Sequence, residues 1–527
     1  MDSFKLLENR ILFPYLCHHM NKEVRTRFAP SPTGGLHLGG VRTALYSYLY
    51  AKKHAGTFVL RVEDTDQTRY VEGAEKYILD CLDWCGIAPD ESPLKSGPYA
   101  PYRQSERKPM YKQYALQLIE NGHAYYAFDT PEDLEKMRMD LKSEKNPSPQ
   151  YDHSTRMQMK NSLTLTIEEV NELLAKNTPF VVRIKMPSNE TISFTDMIRG
   201  EINNDSNLVD DKVLLKGDGM PTYHLAVVVD DYLMKITHAF RGEEWLPSAP
   251  VHIKLWDYLG WKSEMPQWAH LPLILKPDGN GKLSKRDGDR LGFPVFAMNW
   301  FDPKTNETTI GFKEIGFLPE AFINLLAMLG WHSGEEKELF SKDELIALFS
   351  MERVHKGGAK FDYEKAKWFN HEWLKAISED RCMMSVKPIL EAKGIVIQDD
   401  AYLLKVIGAV KDRCTLLNDF YTQSVYFFET PKSFDIDAIK PKWNDDKTAF
   451  FHELMSQCAT IKNWNAVELE TIFKDIATAK NIKMGELQMP FRIMLVGGKF
   501  GPGVFEIAEM IGKESTFERV KLVLGLL

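Results

Sequence analysis

The stretch "VRTRFAPSPTGGLHLGGVRTALYSYLYAKKHAGTFVLRVED", residues 24–64, holds two short apolar runs separated by a glycine-rich loop and a helix-like segment. Residues 24–29 are typical of a strand, and apolar residues recur at helical spacing from residue 41 until Gly56 ends the pattern. "TFVLRVED" then predicts a second strand. Together they predict a strand–helix–strand unit, which in an open parallel sheet places ligands at the carboxyl ends of the strands.

The loop between the first strand and the helix has the composition of a phosphate-binding loop. At the expected helix start, Gly39 and Gly40 would present free N–H groups and the positive end of the helix dipole to an anion. Two common phosphate loops do not match, because Gly40 and Val41 replace the Lys and Ser/Thr of Walker A, and the glycines fall as GGxxxGG rather than GxGxxG. The loop offers the imidazole of His37 instead, and a nucleotide phosphate is the ligand expected there.

A second candidate for phosphate contact is "NGKLSKRDGDR", residues 280–290, a glycine-flanked basic run around Ser284. Taken alone, such a run is more often a solvated basic loop than a binding site, because short basic runs are common.

Size and composition bound the remaining possibilities. At 527 residues the chain exceeds what one hydrophobic core usually organises, so three or more domains are expected. No apolar run approaches the ~18 residues of a membrane helix, and no signal peptide is expected, so a cytoplasmic location is predicted. Six cysteines without CxxC spacing predict free thiols. A net charge of -8 gives no sign of nucleic-acid binding.

The first residues predict an extension outside the fold. A second methionine, Met20, stands just before "NKEVRTRFAP", and residues 1–22 are assigned to this N-terminal extension.

Taken in order, the two loops resemble a known pair of motifs. "PTGGLHLGG" (residues 32–40) resembles the HIGH-type signature of class I aminoacyl-tRNA synthetases, and "KLSKR" (residues 282–286) resembles their KMSKS-type loop. "LRVEDTDQTRY" and "PTYHLAVVVDDYLMKITHAFRGEEWLPSAP" extend the resemblance to bacterial glutamyl-tRNA synthetases, from about Thr26 to the C-terminus. Glutaminyl relatives typically carry a PEPSG-like stretch where this chain has "PSPTG", so the glutamyl branch is favoured.

The resemblance implies residue roles for ATP, with Mg²⁺ entering on the nucleotide. His37, Lys282 and Lys285 are the implied catalytic residues, with Lys285 the stronger candidate for the transition state. The implied ATP-binding residues are Gly34, Gly35, His37, Gly39, Gly40, Lys282, Ser284 and Lys285. Charge stabilisation and positioning suffice for this chemistry, and no protein nucleophile is needed.

The amino-acid pocket must hold two carboxylates and one ammonium. A bidentate arginine is the best reader of a side-chain carboxylate, which makes Arg27 and Arg241 the candidates. The resemblance implies a glutamate site made of Arg27, Ala29, Ser31, Glu63, Tyr223 and Arg241, with Glu63 near the ammonium. His224 is equally open to a role as an ATP contact or as a core histidine, and Asp64, Asp66 and Arg69 are expected to form scaffold ion pairs.

The expected fold class is α/β, a Rossmann-type parallel-sheet catalytic domain with an inserted α/β domain and a helical C-terminal region. The expected segments are 23–101 and 217–261 for the two catalytic halves, 102–216 for the insertion, 262–375 for a connecting domain and 376–527 for the helical region. By resemblance, the insertion binds the tRNA acceptor end and the helical region binds the anticodon. "FDPKTNETTIG", residues 301–311, predicts a surface hairpin.

Zinc is not expected. Some relatives bind it in the insertion, but this chain has Ala127 and Asp129 at the corresponding positions and no cysteine between Cys85 and Cys382.

The resulting hypothesis is an ATP-dependent ligase that joins glutamate to tRNA(Glu), with a monomer expected. A glutaminyl enzyme and a truncated relative that modifies a tRNA base are the nearer alternatives. A non-catalytic nucleotide-binding scaffold is the more distant one. The sequence does not indicate whether tRNA(Gln) is also charged.

Overall fold

The computed structural model describes residues 23–144, 146–284 and 287–527. The predicted extension, residues 1–22, and the loop residue Lys285 lie outside the described residues. The predicted strand–helix–strand unit is confirmed, and its two strands are parallel and in register from Arg25↔Thr57 to Phe28↔Leu60. The first segment forms β1 (Arg25–Phe28), α1 (Leu38–Lys53), β2 (Thr57–Leu60) and α2 (Ala74–Trp84).

The predicted insertion mixes helices with short strands. Capping boxes at Thr130 and Thr166 start two of its helices, in which a threonine hydroxyl and an acidic side chain three residues on satisfy free N–H groups. The segment forms α3 (Lys108–Glu120), β3 (Ala124–Ala127), α4 (Pro131–Leu141), α5 (Ile167–Ala175), β4 (Val181–Ile184), β5 (Thr191–Asp196), β6 (Gly200–Asp205) and β7 (Val213–Leu215).

The second catalytic segment and the connecting segment follow. The predicted surface hairpin is confirmed, because two short strands pair antiparallel from Trp300↔Thr309 to Asp302↔Glu307. The elements are α6 (Tyr223–Leu233), β8 (His238–Gly242), α7 (Ala249–Tyr258), β9 (Gln267–Leu271), β10 (Ile274–Leu275), α8 (Asp287–Leu291), β11 (Trp300–Asp302), β12 (Glu307–Thr309), α9 (Pro319–Met328), α10 (Lys342–Leu348), β13 (Ala359–Lys360) and α11 (Tyr363–Ala376).

The C-terminal region is helical, as predicted. Its last helix contains a kink at Gly512, whose φ of 82° lies in the left-handed region that favours glycine. The helices are α12 (Glu379–Ala392), α13 (Asp400–Val410), α14 (Asp419–Phe428), α15 (Asp445–Cys458), α16 (Ala466–Ala479), α17 (Met484–Val496) and α18 (Val504–Leu524). Within the described ranges, no helix has the length and apolar character needed to cross a bilayer.

The main sheet has six strands in the order β2-β1-β8-β9-β5-β6, and the fold class is the predicted Rossmann type. All neighbouring pairs are parallel except the β5–β6 hairpin. The strand order reverses at β1, where a parallel sheet opens a crevice at the strands' carboxyl ends. β5 and β6 come from the predicted insertion, so the boundary at residue 216 does not coincide with a boundary of the sheet.

Two adjacent aspartates of α6 join three segments of the chain in the buried interior. Asp230 accepts hydrogen bonds from Arg107 Nε (2.7 Å), Gln104 Nε2 (2.9 Å) and Tyr111 Oη (2.8 Å), which all belong to the start of the insertion. Asp231 contacts arginines of β1 and of the segment after β2. Because buried charges are tolerated only when paired, this doublet fixes the insertion and the first catalytic segment to α6.

We predict that Asp230→Ala lowers the free energy of unfolding by about 3–5 kcal/mol, because it leaves the guanidinium of Arg107 buried without its partner. Urea unfolding followed by circular dichroism measures this change. Asp80→Ala is the control, since Asp80 forms an exposed ion pair with Lys76 and its loss should have little effect. Equal losses in the two variants would contradict the role assigned to Asp230.

Candidate active site

A cleft of about 550 Å³ opens at the carboxyl ends of β1, β2, β8 and β9. Most of the residues predicted for the site line this one cleft, although they come from four separate parts of the chain. The predicted residues among its walls are Arg27, Ala29, Ser31, His37, Gly39, Gly40, Glu63, Tyr223, Arg241, Lys282 and Ser284.

Gly34 and Gly35, which were predicted to bind ATP, do not lie among the described walls of the cleft. A Cβ on Gly35 would come within 2.6 Å of Phe296 Cε1 and 2.7 Å of Trp300 Cγ, so this glycine lets two aromatic rings pack against the loop. Gly34 has a φ of 142°, a backbone conformation that side chains rarely adopt. Both glycines therefore determine the conformation and packing of the loop, and neither borders the cleft.

The start of α1 differs from the prediction. His37 is the N-cap, and its Nδ1 accepts a hydrogen bond from the N–H of Gly39 at 3.2 Å. The N–H of Leu38 donates to the carbonyl of Val295, and the N–H of Gly40 donates to the carbonyl of His37. The prediction of free N–H groups at Gly39 and Gly40 is therefore wrong, because Nδ1 and the backbone carbonyl of His37 accept from them. Since Nδ1 accepts, a neutral His37 carries its proton on Nε2.

Two arginines and two carboxylates form a buried ladder on one side of the cleft. Asp231 Oδ1 accepts from Arg27 Nε at 3.2 Å and from Arg61 Nη1 at 2.7 Å. Arg61 Nη2 donates to Glu63 Oε1 at 2.9 Å. Burial opposes the charge on Asp231, but Arg27 and Arg61 outweigh it and lower its pKa. Burial raises the pKa of Glu63, which Arg61 and Arg27 only partly offset.

Arg241, at the end of β8, has a different environment. Its Nε donates to His270 Nε2 at 2.8 Å, and its Nη1 donates to Tyr223 Oη at 3.2 Å and to His252 Nδ1 at 3.0 Å. Its Nη2 is buried and has no hydrogen-bond partner among the residues that the structure describes. The partners of Arg241 are thus neutral acceptors, and no carboxylate in the described ranges contacts it.

The charges lining this part of the cleft are consequently unbalanced. The ladder pairs two guanidinium groups with two carboxylates, whereas the charge of Arg241 is not neutralised by a contact. Tyr223 accepts from Arg241 at 3.2 Å, and both residues line the same cleft as Glu63 and Arg27. This arrangement suits a ligand that carries an anionic group for Arg241 and a cationic group for Glu63.

The basic loop also borders the cleft. Lys282 Nζ lies 2.7 Å from Glu244 Oε1, and both side chains are about half exposed. Ser284 donates through its hydroxyl to Asp287 Oδ2 at 2.6 Å and through its backbone N–H to the same oxygen. Lys285 is outside the described residues, so its predicted role stays a prediction.

The remaining predicted residues have structural partners. Asp66 and Arg69 form the expected ion pair at 2.6 Å. Asp64 instead accepts from the N–H of Ser105 at 2.8 Å and from the Gln67 side chain. His224 is close to the cleft but contacts His252, with 3.2 Å between Nδ1 and Nε2.

Several residues that hold the cleft side chains in place were not predicted. Asp231 could have been found as an acid within the apolar helix sequence "YHLAVVVDDYL". No signal in the sequence pairs His252, His270 or Asp196 with Arg241, because these contacts join distant segments. Arg42, which was not predicted either, lines the cleft itself, and its guanidinium donates to the backbone carbonyls of Leu329 and Pro272.

In the insertion, Asp129 stands at the position of a possible metal ligand and forms hydrogen bonds there. Asp129 accepts from Tyr151 Oη at 2.9 Å and from the N–H of Lys160 at 2.7 Å. Over the described ranges, no group of three or more His, Cys, Asp or Glu side chains is arranged to hold a metal ion.

Comparison with known proteins assigns both parts of the chain. Residues 23–368 match the family described as "tRNA synthetases class I (E and Q), catalytic domain", and residues 367–524 match "Anticodon binding domain". The chain is similar to the glutamate–tRNA ligase of Flavobacterium psychrophilum, with 52% identity over 509 residues that cover 96% of this chain and 100% of the relative. The ligase of Christiangramia forsetii is 50% identical over 502 residues, covering 95% and 99%.

Two solved structures are also similar over 96% of this chain and 100% of theirs. One is a glutamate tRNA ligase from Elizabethkingia meningosepticum in complex with its amino acid, with a TM-score of 0.92 and 48% identity. The other is the glutamate-tRNA synthetase from Elizabethkingia anophelis, with a TM-score of 0.88 and 48% identity. The chain therefore belongs to the class I aminoacyl-tRNA synthetases, in the glutamate–tRNA ligase family.

Proposed function

We propose that this protein activates L-glutamate with ATP to form glutamyl adenylate and transfers the glutamyl group to the 3′-terminal adenosine of tRNA(Glu). The observation that carries the proposal is the buried charge of Arg241, which neutral acceptors hold in place and no described carboxylate contacts. A pocket with this excess positive charge favours an amino acid with an acidic side chain.

Within the pocket, Arg241 and Tyr223 take the side-chain carboxylate of glutamate. Arg27 is the weaker candidate for this role, because its Nε already pairs with Asp231 at 3.2 Å. Glu63 accepts from the α-ammonium group, since one of its oxygens is used by Arg61 and the other has no partner in the described part of the chain. Ala29 and Ser31 border the amino acid at the end of β1.

ATP lies along the loop and the start of α1. The Nε2–H of His37 donates to phosphate oxygens, and the positive end of the α1 dipole lies at Gly39 and Gly40, which both line the cleft. Lys282 and Lys285 balance the charge of the leaving pyrophosphate, and Ser284 lies beside them. Arg42 adds positive potential behind the helix start. Mg²⁺ enters with ATP, held mainly by phosphates and water.

The reaction has two displacements. An oxygen of the α-carboxylate attacks the α-phosphorus of ATP, and the bond to pyrophosphate breaks as glutamyl adenylate forms. A 2′- or 3′-hydroxyl of the terminal adenosine then attacks the glutamyl carbonyl, its proton passes to water, and the bond to AMP breaks as the glutamyl ester forms. The protein supplies orientation and charge stabilisation in both steps.

The tRNA spans the two other parts of the chain. The insertion binds the acceptor end beside the cleft, and the helical segment 376–527 binds the anticodon. We further propose that the protein acts as a cytoplasmic monomer.

Aminoacylation of purified tRNA(Glu) and tRNA(Gln) with labelled glutamate and glutamine tests the proposal. We expect glutamate to be attached to tRNA(Glu) and glutamine to be attached to neither tRNA. Glutamate on tRNA(Gln) as well would indicate a non-discriminating enzyme of the same class. Attachment of glutamine, or no charging at all, would contradict the proposed function.

Arg241→Ala is expected to raise the KM for glutamate by about a hundredfold and to reduce the preference for glutamate over glutamine, because a charge-assisted contact is lost. Steady-state aminoacylation measures both quantities. Arg103→Ala, which removes a partly exposed arginine paired with Glu75 away from the cleft, is the control. An unchanged KM in Arg241→Ala would assign the carboxylate to another residue.

Lys285→Ala is expected to slow glutamyl adenylate formation by roughly a hundredfold while leaving the KM for glutamate near normal, because the lysine stabilises charge only as pyrophosphate departs. Single-turnover kinetics with tRNA present measure the step. The exposed Lys262 provides a matched Lys→Ala control. A normal single-turnover rate would remove Lys285 from the mechanism.

A further inference from the structure

The two histidines that contact Arg241 form further hydrogen bonds of their own. These bonds determine which ring nitrogen of each histidine carries the proton. Arginine can only donate, so His270 must accept through Nε2 and carry its proton on Nδ1. That proton is donated to Asp196 Oδ2 at 2.7 Å, and both side chains are fully buried. By the same reasoning, His252 accepts through Nδ1, so its Nε2–H donates to His224 Nδ1 at 3.2 Å.

Asp196 is held firmly enough to orient His270. Its Oδ1 accepts from the N–H groups of Ile198 and Arg199, both at 2.9 Å, and its Oδ2 also accepts from the N–H of His270 at 3.0 Å. These bonds hold the carboxylate of Asp196 on the far side of the His270 ring, so it does not contact Arg241. Asp196 therefore orients the imidazole of His270, and the imidazole in turn orients Arg241. No negative charge from the described residues contacts the guanidinium.

Both histidines contacting Arg241 are neutral. Burial, followed by the charge of Arg241, lowers the pKa of His252 well below its ordinary value. Burial also lowers the pKa of His270, although Asp196 opposes the shift. Burial, aided by Lys212, lowers the pKa of His224 to about 4. A neutral chain of acceptors is thus stable around the guanidinium at neutral pH.

We infer that His252 and His270, oriented by His224 and Asp196, are positioning residues that fix Arg241 while leaving its charge available to the side-chain carboxylate of the substrate. The inference rests on the proposed function and deepens it. An acid in the place of either histidine would satisfy the same donors but would neutralise the guanidinium and compete with the ligand. The selectivity of the pocket for an acidic amino acid would therefore depend on the neutral histidines around Arg241.

The isosteric pair His252→Asn and His252→Asp separates this role from simple structural support. Asparagine can place a neutral oxygen near the position of Nδ1, and aspartate places a charged one there. We expect His252→Asn to keep the KM for glutamate within about threefold of the parent. We expect His252→Asp to raise it at least about tenfold, the effect of one charge-assisted hydrogen bond, with a smaller change in kcat. The ratio of kcat/KM for glutamate over glutamine should fall by a similar factor.

A purely structural role predicts the opposite order, because aspartate would form an ion pair with Arg241. Equal KM values in the two variants, or a lower one in His252→Asp, would overturn the inference. The same substitutions at His238 provide the control, since this buried histidine of β8 contacts Tyr50 and Thr237 and not Arg241. They should leave the KM for glutamate unchanged.

If thermal unfolding shows that a His252 variant does not fold, His270→Gln and His270→Glu apply the same comparison at the position of Nε2, with the same criterion. The parent protein separates the two levels of the account. A parent that does not activate glutamate removes the proposed function and the inference with it. An active parent whose neutral and acidic variants share one KM removes the inference alone.

Discussion

The site depends on how one buried guanidinium is held without being neutralised. Burying an arginine costs a large desolvation free energy, and the usual solution is a carboxylate in contact. Arg27 and Arg61 follow that solution through Asp231 and Glu63. Arg241 does not, since its hydrogen-bond acceptors are two imidazoles and a phenol. Its charge remains for a ligand, and the chemistry that we propose for the cleft follows from this difference.

Such an arrangement needs a rigid frame, and α6 supplies much of it. Asp230 fixes the start of the insertion, Asp231 fixes the arginines of the first catalytic segment, and Tyr223 begins the same helix at the cleft. The insertion adds a second support, because its β5 joins the main sheet and ends at Asp196, behind His270. The amino-acid pocket is therefore assembled from the sheet and the insertion together.

Much of the fold could be predicted from local pattern, and part of the site could not. Helical periodicity and the glycine-rich loop were sufficient to predict β1, α1 and β2, and the turn-forming residues around Pro303 and Asn306 predicted the hairpin at residues 301–311. The cleft residues Arg27, Glu63 and Arg241 were found because they belong to recognisable motifs. The engaged N–H groups of Gly39 and Gly40 were missed, since the cap by His37 Nδ1 depends on the side-chain rotamer and the bond to the His37 carbonyl depends on the local backbone conformation. The pairing of Asp196 with His270 joins residues 74 positions apart, and no local pattern specifies it.

A crystal structure of the protein with bound L-glutamate tests the central claim most directly. We predict that the side-chain carboxylate lies within hydrogen-bond distance of the Arg241 guanidinium, with the α-ammonium beside Glu63 and with His252 and His270 still in contact with Arg241. A glutamate side-chain carboxylate that binds elsewhere would contradict the account. So would an Asp or Glu side chain of the protein that contacts Arg241 in the complex.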